Sequence, residues 1–197
     1  MKLRYLATVV FLALTTVAAH AQAGVGLYLN PVAIRVGNSV VDSGPFAFLG
    51  QNSTSKVFYG FDLGGFYDFF HAGNSVAAGF DVRESDLHAD NASLKSFLIG
   101  ARVTAQPFSR PFKPYLQGSV GIGSTKAPAS TVSIRKLGYG IYGGIDYTLQ
   151  RHVDFRVAEI GYGSLVTASS ATVGGGGNIA IPASSLISFS SGLVFRF

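Results

Sequence analysis

The chain has 197 residues, with 15 Lys plus Arg against 10 Asp plus Glu, 25 Gly and no Cys. Charged residues make up only 13%, about half the usage of soluble domains, and Gly is nearly twice as frequent as usual. The lack of cysteine excludes a disulfide scaffold, a thiolate metal site, a cysteine nucleophile and a lipid-modified cysteine anchor. A hydrophobic fraction of 48% excludes a chain that is disordered throughout.

The amino terminus reads as a signal peptide over 1–21. Lys2 and Arg4 form a positive start, residues 6–19 are almost uncharged and apolar, and Ala19-His20-Ala21 is a small-x-small cleavage site. Cleavage after Ala23 is the near alternative. What remains, 22–197, is expected to be one domain. Loss of Lys2 and Arg4 leaves 13 bases against 10 acids, a net charge of +3 that is too mild for a nucleic-acid partner. No later run approaches the 18 apolar residues a spanning helix needs, so entry into a membrane would require strands.

Period-two alternation then recurs along the chain. The first candidate strand, 24–37, contains Pro31, and its apolar parity changes there, which predicts a bulge or bend. The second, 55–70, sets Val57, Tyr59, Phe61, Leu63, Tyr67 and Phe69 against Gly60, Asp62, Gly64 and Asp68. Further strands are expected at 75–87, 94–106, 114–126, 134–149, 153–163 and 185–197. In the seventh, Glu159 shares the parity of Val153, Phe155 and Val157; either a bulge near Ala158 turns it inward or the strand has left the apolar layer. Eight is an even number, as closure of an antiparallel barrel requires.

The links after strands two, four and six (71–74, 107–113, 150–152) are short. Those after strands one, three, five and seven (38–54, 88–93, 127–133, 164–184) include two long ones. Such asymmetry suggests a barrel with its long loops outside the cell. The small and charged set is too small to shield a protein from water, and the bulky set is too large for a narrow interior. The bulky residues are therefore expected to face lipid and the Gly, Ser, Asp and Arg to face the lumen. Phe58, Phe66 and Tyr142 are inner-set exceptions that fill space or lie beyond the bilayer. Without Trp, an aromatic girdle would fall to Tyr59, Tyr67, Tyr115, Tyr139, Tyr147 and Phe69.

Hairpin closure predicts inner-face ion pairs. A turn at 71–74 sets Asp62 opposite Arg83, and one at 150–152 sets Asp146 opposite Arg156. A tip near Asn91 sets Asp81 opposite Arg102. With Asp68, Asp154 and Arg196, these residues would plug the lumen.

The signal peptide, the eight alternating strands and the ending Leu193-Val194-Phe195-Arg196-Phe197 together resemble the OmpA/OmpX-like eight-stranded outer-membrane β-barrels over 24–197. The resemblance implies an all-β, up-and-down transmembrane barrel in the bacterial outer membrane. It also implies that Leu193, Phe195 and Phe197 form the carboxy-terminal signal read by the barrel assembly machinery. The barrel reaches the end of the sequence, so the periplasmic cell-wall domain of full-length OmpA proteins is not expected.

Gly138-Tyr139-Gly140-Ile141-Tyr142-Gly143 matches G-x-G-x-x-G but lies inside a strand, so inner-face small residues explain it better than a dinucleotide site. The four-Gly run at 174–177 reads as a mobile loop. Asp86, His88 and Asp90 read as a solvated loop tip, with divalent metal binding the lesser alternative. Neither a catalytic site nor a cofactor nor a metal is expected. A monomer is expected, with outer-membrane lipids as surroundings and loops offered to an extracellular ligand. Those loops contain the apolar segments 45–49 and 178–181, which would extend hairpins or meet a partner. The alternative function is a lipid A acyltransferase or deacylase built on His88 with Ser85, Asp86 and Ser93. An open diffusion pore is excluded by the narrow barrel.

Overall fold

The computed structural model describes residues 24–42, 47–50, 52–73, 75–105, 111–128, 133–167 and 183–197. The expected signal peptide, the Gly run at 174–177 and the apolar segment 178–181 lie outside them. Eight strands form: β1 (Gly24–Asp42), β2 (Ser53–Ala72), β3 (Val76–Ala89), β4 (Ala92–Ala105), β5 (Phe112–Lys126), β6 (Ser133–Gln150), β7 (Val153–Leu165) and β8 (Ser184–Arg196). Each pairs antiparallel with its chain neighbour, and β1 pairs with β8, so the sheet closes into an all-β, up-and-down barrel. Closure leaves no edge, which is the condition for backbone amides to survive in hydrocarbon.

The register is staggered. A row of paired residues that leaves β2 at Asp68 runs through Gly79, Arg102, Gln117, Tyr142, Gly161, Ser188 and Ile34 and returns to β2 at Phe58, ten residues away. With eight strands, such a stagger tilts them by about 40° from the barrel axis. Side chains in this row all point into the tube.

Several local expectations change. β1 runs straight through Pro31, which pairs with Phe61 in unbroken register. Tyr28, Asn30, Val32, Ile34 and Val36 all face inward on one parity. What changes at Pro31 is the lumen filling, not the backbone. The second hairpin does not place Asp62 opposite Arg83, because β2 and β3 stay paired as far as Ala72 and Val76, a shift of three steps from the expected register; the extra, bulged residue Phe69 takes back one of them, and Asp62 pairs with Ser85 and Arg83 with Gly64. The bulge closes on Gly79, where a Cβ would stand 2.0 Å from the Tyr67 carbonyl oxygen. β3 and β4 run to Ala89 and Ala92, leaving a turn of Asp90 and Asn91 with Asp90 at φ 50°. That register places Gly79, not Asp81, opposite Arg102. In the sixth hairpin a bulge at Leu149 leaves Asp146 opposite Arg156, as expected from sequence.

The exterior is apolar. Leu137 is 79% exposed, Val120 66% and Tyr59 65%, and Phe61, Leu63, Phe80, Ile160 and Phe189 accompany them. Such a surface suits lipid and not water. Tyr59, Tyr67, Tyr139 and Phe69 point outward as girdle residues, and Tyr147 packs edge-on against Phe112. Tyr115 is the exception. It shares the parity of Gln117 and Ser119 and lies buried in the lumen.

The interior has two layers. Toward the rim with the short turns, where β1 begins and β8 ends, it is charged. Toward the long-loop rim it is apolar: Val32, Ile34, Val36, Phe58, Leu87, Leu94 and Leu165 converge there. Phe48 and Leu49, from the link between β1 and β2, fold into this layer, and Phe48 stacks on Phe58 with ring centroids 4.9 Å apart. The described part of the apolar segment 45–49 therefore neither extends a hairpin nor meets an outside partner; it stoppers the barrel mouth.

Candidate functional site in the barrel lumen

Six of the chain's ten acidic residues lie buried inside the tube: Asp62, Asp68, Asp81, Asp146, Asp154 and Glu159. They meet buried Arg83, Arg102 and Arg156 and partly buried Arg196 and Lys113. A nearly neutral set of charges is the only kind a narrow, dry tube tolerates.

Glu159 is the hub. Arg83 donates to both its carboxylate oxygens at 2.7 Å, a fork-on-fork pair. Tyr115 donates its hydroxyl at 2.5 Å, Ser190 at 3.1 Å and Arg156 at 3.3 Å. Glu159 reaches the lumen because Val157 is looped out: Asp146 pairs with Arg156, whereas Ile145 pairs with Ala158. Of the two expectations for Glu159, the inward turn holds.

Asp62 accepts from Arg83 at 3.3 Å, a longer contact made diagonally across the bulged register. Asp146 accepts from Arg156 and from Arg102, each at 2.9 Å, and Arg196 stands 3.6 Å away. The expected pair of Asp81 with Arg102 does not form. Asp81 instead accepts from Tyr28 at 3.0 Å and from Gln117 at 2.6 Å, because the register shift leaves Arg102 level with Asp146 across the lumen. At the rim, Asp154 accepts from Arg196 and from Lys113. Asp68 is buried beside them without a hydrogen bond to its carboxylate among the described residues.

Aromatic rings replace water around the guanidinium groups. Arg102 lies between Phe66 and Tyr115, at 4.2 and 4.0 Å from the ring centroids, and Arg156 between Tyr28 and Tyr115, at 4.5 and 4.6 Å. Arg83 sits 4.1 Å over Tyr142. Cation–π contacts of this desolvated kind contribute about 2 kcal/mol each. Phe66 and Tyr142, odd in a set of small residues, thus have work as ring partners, while Phe58 belongs to the apolar layer.

Sequence reasoning found the arginines and most of the acids, left Glu159 open between two placements, and gave Tyr28, Tyr115, Gln117 and Lys113 no part in the lumen network. Parity alone would have placed Tyr115 inside. A cavity of about 30 Å³ separates the two layers, lined by Asp62, Ser85, Ser188 and Tyr142 and by Ile34, Leu94 and Leu165. It has room for about two water molecules.

Outside the lumen, the candidate residues of β3 come together only in part. Asp86 is bonded by Lys95 at 2.7 Å and Asp90 by Lys56 at 2.7 Å, so the Asp86, His88 and Asp90 carboxylates and ring do not converge on a metal. His88 points outward, with Asp86 at 3.7 Å, whereas Ser85 points into the lumen. Ser93 is the cross-strand neighbour of His88. At the carboxy terminus Leu193, Phe195 and Phe197 face outward, and the Phe197 amide donates to the Val25 carbonyl, extending the β1–β8 seam.

No protein-family model matches the chain, and no curated protein matches it. Among solved structures it is similar to Neisserial surface protein A, with 16% identity, a TM-score of 0.57, and 89% of this chain and 99% of that one covered. It is also similar to Ail, the attachment invasion locus protein of Yersinia pestis, with 10% identity, a TM-score of 0.54, and 90% and 100% covered. A second structure of Ail, in complex with the heparin analogue sucrose octasulfate, matches at 12% identity and a TM-score of 0.52, with 89% and 99% covered. With its closed register, lipid-facing belt and charged lumen, the chain has the fold of the OmpA/OmpX-like eight-stranded β-barrels of the bacterial outer membrane.

Proposed function

We propose that this protein is a non-catalytic outer-membrane barrel that reinforces the envelope and offers its long-loop rim to partners outside the cell. The observation that carries this reading is the double closure of the lumen, by the Glu159-centred ionic layer below and the Phe48–Phe58 layer above. A tube closed by two unlike materials transmits load and excludes solutes. The lipid A-modifying alternative loses Ser85, which the thickness of the sheet separates from the outward His88, and keeps Asp86 and Ser93 beside it. The attachment role in the name of Ail fits a surface interaction at the loops. Leu193, Phe195 and Phe197 would serve as the segment read by the barrel assembly machinery.

Deletion of the gene tests the reading in three measurements. Entry of a hydrophobic dye should rise, the lipid A acylation pattern should stay the same, and protease added to intact cells should cut in the long loops. The purified barrel in a planar bilayer should show no steady conductance. A lipid A change that His88→Ala reproduces would establish the enzyme instead.

A further inference from the structure

We propose that the outer surface of β8, β1 and β2 carries a binding site for the phosphate of an outer-leaflet glycolipid, with Arg35 as its cation. A groove of about 430 Å³ opens there at the long-loop end, lined by Arg35, Gly37, Thr54, Ser55, Ser185 and Ile187. The register explains its composition. Arg35 pairs laterally with Val57 on β2 and Ile187 on β8, so its guanidinium rises from the last apolar row of the outer surface. One step toward the rim, Gly37 pairs with Ser55 and Ser185, giving a row of small hydroxylated residues around a residue with no side chain.

Arg35 is exposed and makes no ion pair among the described residues; its side chain donates to the Ser55 hydroxyl oxygen at 3.3 Å. Lys56 and Lys95, also near this rim, are each neutralised by an aspartate at 2.7 Å. A guanidinium that meets no carboxylate among the described residues, at the border of the hydrocarbon, presents a planar fork that matches a phosphate. Ser55, having accepted from Arg35, keeps its own proton to donate to the same anion. Below the groove Ile187, Tyr162 and Phe189 are 48%, 57% and 55% exposed, a continuous apolar track for the acyl chains of the molecule whose phosphate Arg35 holds. The track distinguishes a lipid from a free anion. Gly37 keeps the groove open, since even a Cβ there would lie 3.2 Å from the Ser185 hydroxyl oxygen.

The choice of the outer leaflet rests on the outward orientation of the long-loop rim proposed above. The test is native mass spectrometry of the purified barrel in detergent, titrated with bis-phosphorylated lipid A, dephosphorylated lipid A, phosphatidylglycerol and inorganic phosphate. Lipid A should be retained, with affinity reduced about tenfold in Arg35→Gln and in Gly37→Leu and unchanged in Arg135→Gln, an outward cation on β6. Dephosphorylated lipid A should bind the native chain no better than lipid A binds Arg35→Gln. Equal retention by native chain and Arg35→Gln, preference for phosphatidylglycerol, or displacement of lipid A by equimolar inorganic phosphate overturns the proposal. Heat-modifiable migration on gels verifies that each variant is folded. Surface proteolysis of the loops, read separately, distinguishes a wrong orientation from a wrong site.

Discussion

The two halves of the lumen solve the same packing problem with opposite chemistry. In the half near the chain ends, most large side chains are charged or aromatic, and each guanidinium has both a carboxylate and a ring. In the half near the long loops, Phe48, Phe58, Leu87, Leu94 and Leu165 need only to fit. Burying ions gives little net stability over an apolar filling, while loss of one partner strands the other at high cost. The ionic half is therefore brittle toward single changes, and the apolar half degrades in proportion to the volume removed.

Substitutions can break or sharpen that contrast. Glu159→Ala should have the largest effect, a loss of about 4 kcal/mol, because it leaves Arg83, Arg156 and Tyr115 without their shared acceptor. Urea unfolding of the barrel in phospholipid vesicles measures it. The cycle with Arg83→Ala should show strong coupling, the double variant losing much less than the sum. The same cycle with Asp62→Ala should couple more weakly, in line with 3.3 Å against 2.7 Å. Additive losses in the Arg83 and Glu159 cycle would remove Glu159 from its central place.

In the apolar half, Phe58→Ala should cost about 3 kcal/mol by cavity formation, and Phe58→Leu much less. An ionic-half variant with a similarly conservative change, Glu159→Gln, should remain costly, and equal tolerance in both halves would erase the distinction. Gly79→Ala should cost about 2 kcal/mol by pushing β3 away from the bulge at Phe69. Smallest of all, Lys56→Ala should shift unfolding by about 0.5 kcal/mol, since its partner Asp90 is largely in water.

Legibility in the sequence followed the same division. Outward and inward sets were readable from alternation along most of each strand, because lipid on one side and a tight lumen on the other impose period two between the bulges. The apolar parity change at Pro31 was equally visible but pointed to a false bulge. Val32, Ile34 and Val36 continue the inward line of Tyr28 and Asn30 into an apolar layer that alternation cannot reveal. Of the real bulges, that at Val157 was marked by the parity of Glu159, whereas those at Phe69 and Leu149 left no mark in the alternation. The one at Val157 brought Glu159 inside, while Asp62 lost its place opposite Arg83 to a hairpin that closes later, at Ala72 and Val76, than the sequence suggests.

By itself the sequence determined the strand count, the sign of each face and the fact that acids and arginines share a confined interior. These are properties of single residues and of their spacing along one strand. Beyond the hairpin pair of Asp146 with Arg156, the tertiary structure decided who pairs with whom. A stagger of ten residues accumulated around the ring places Arg102 against Asp146, 44 residues away, and Arg83 against Glu159, 76 residues away. Partners across a closed tube are set by the sum of all registers and bulges between them, and no local stretch of chain contains that sum.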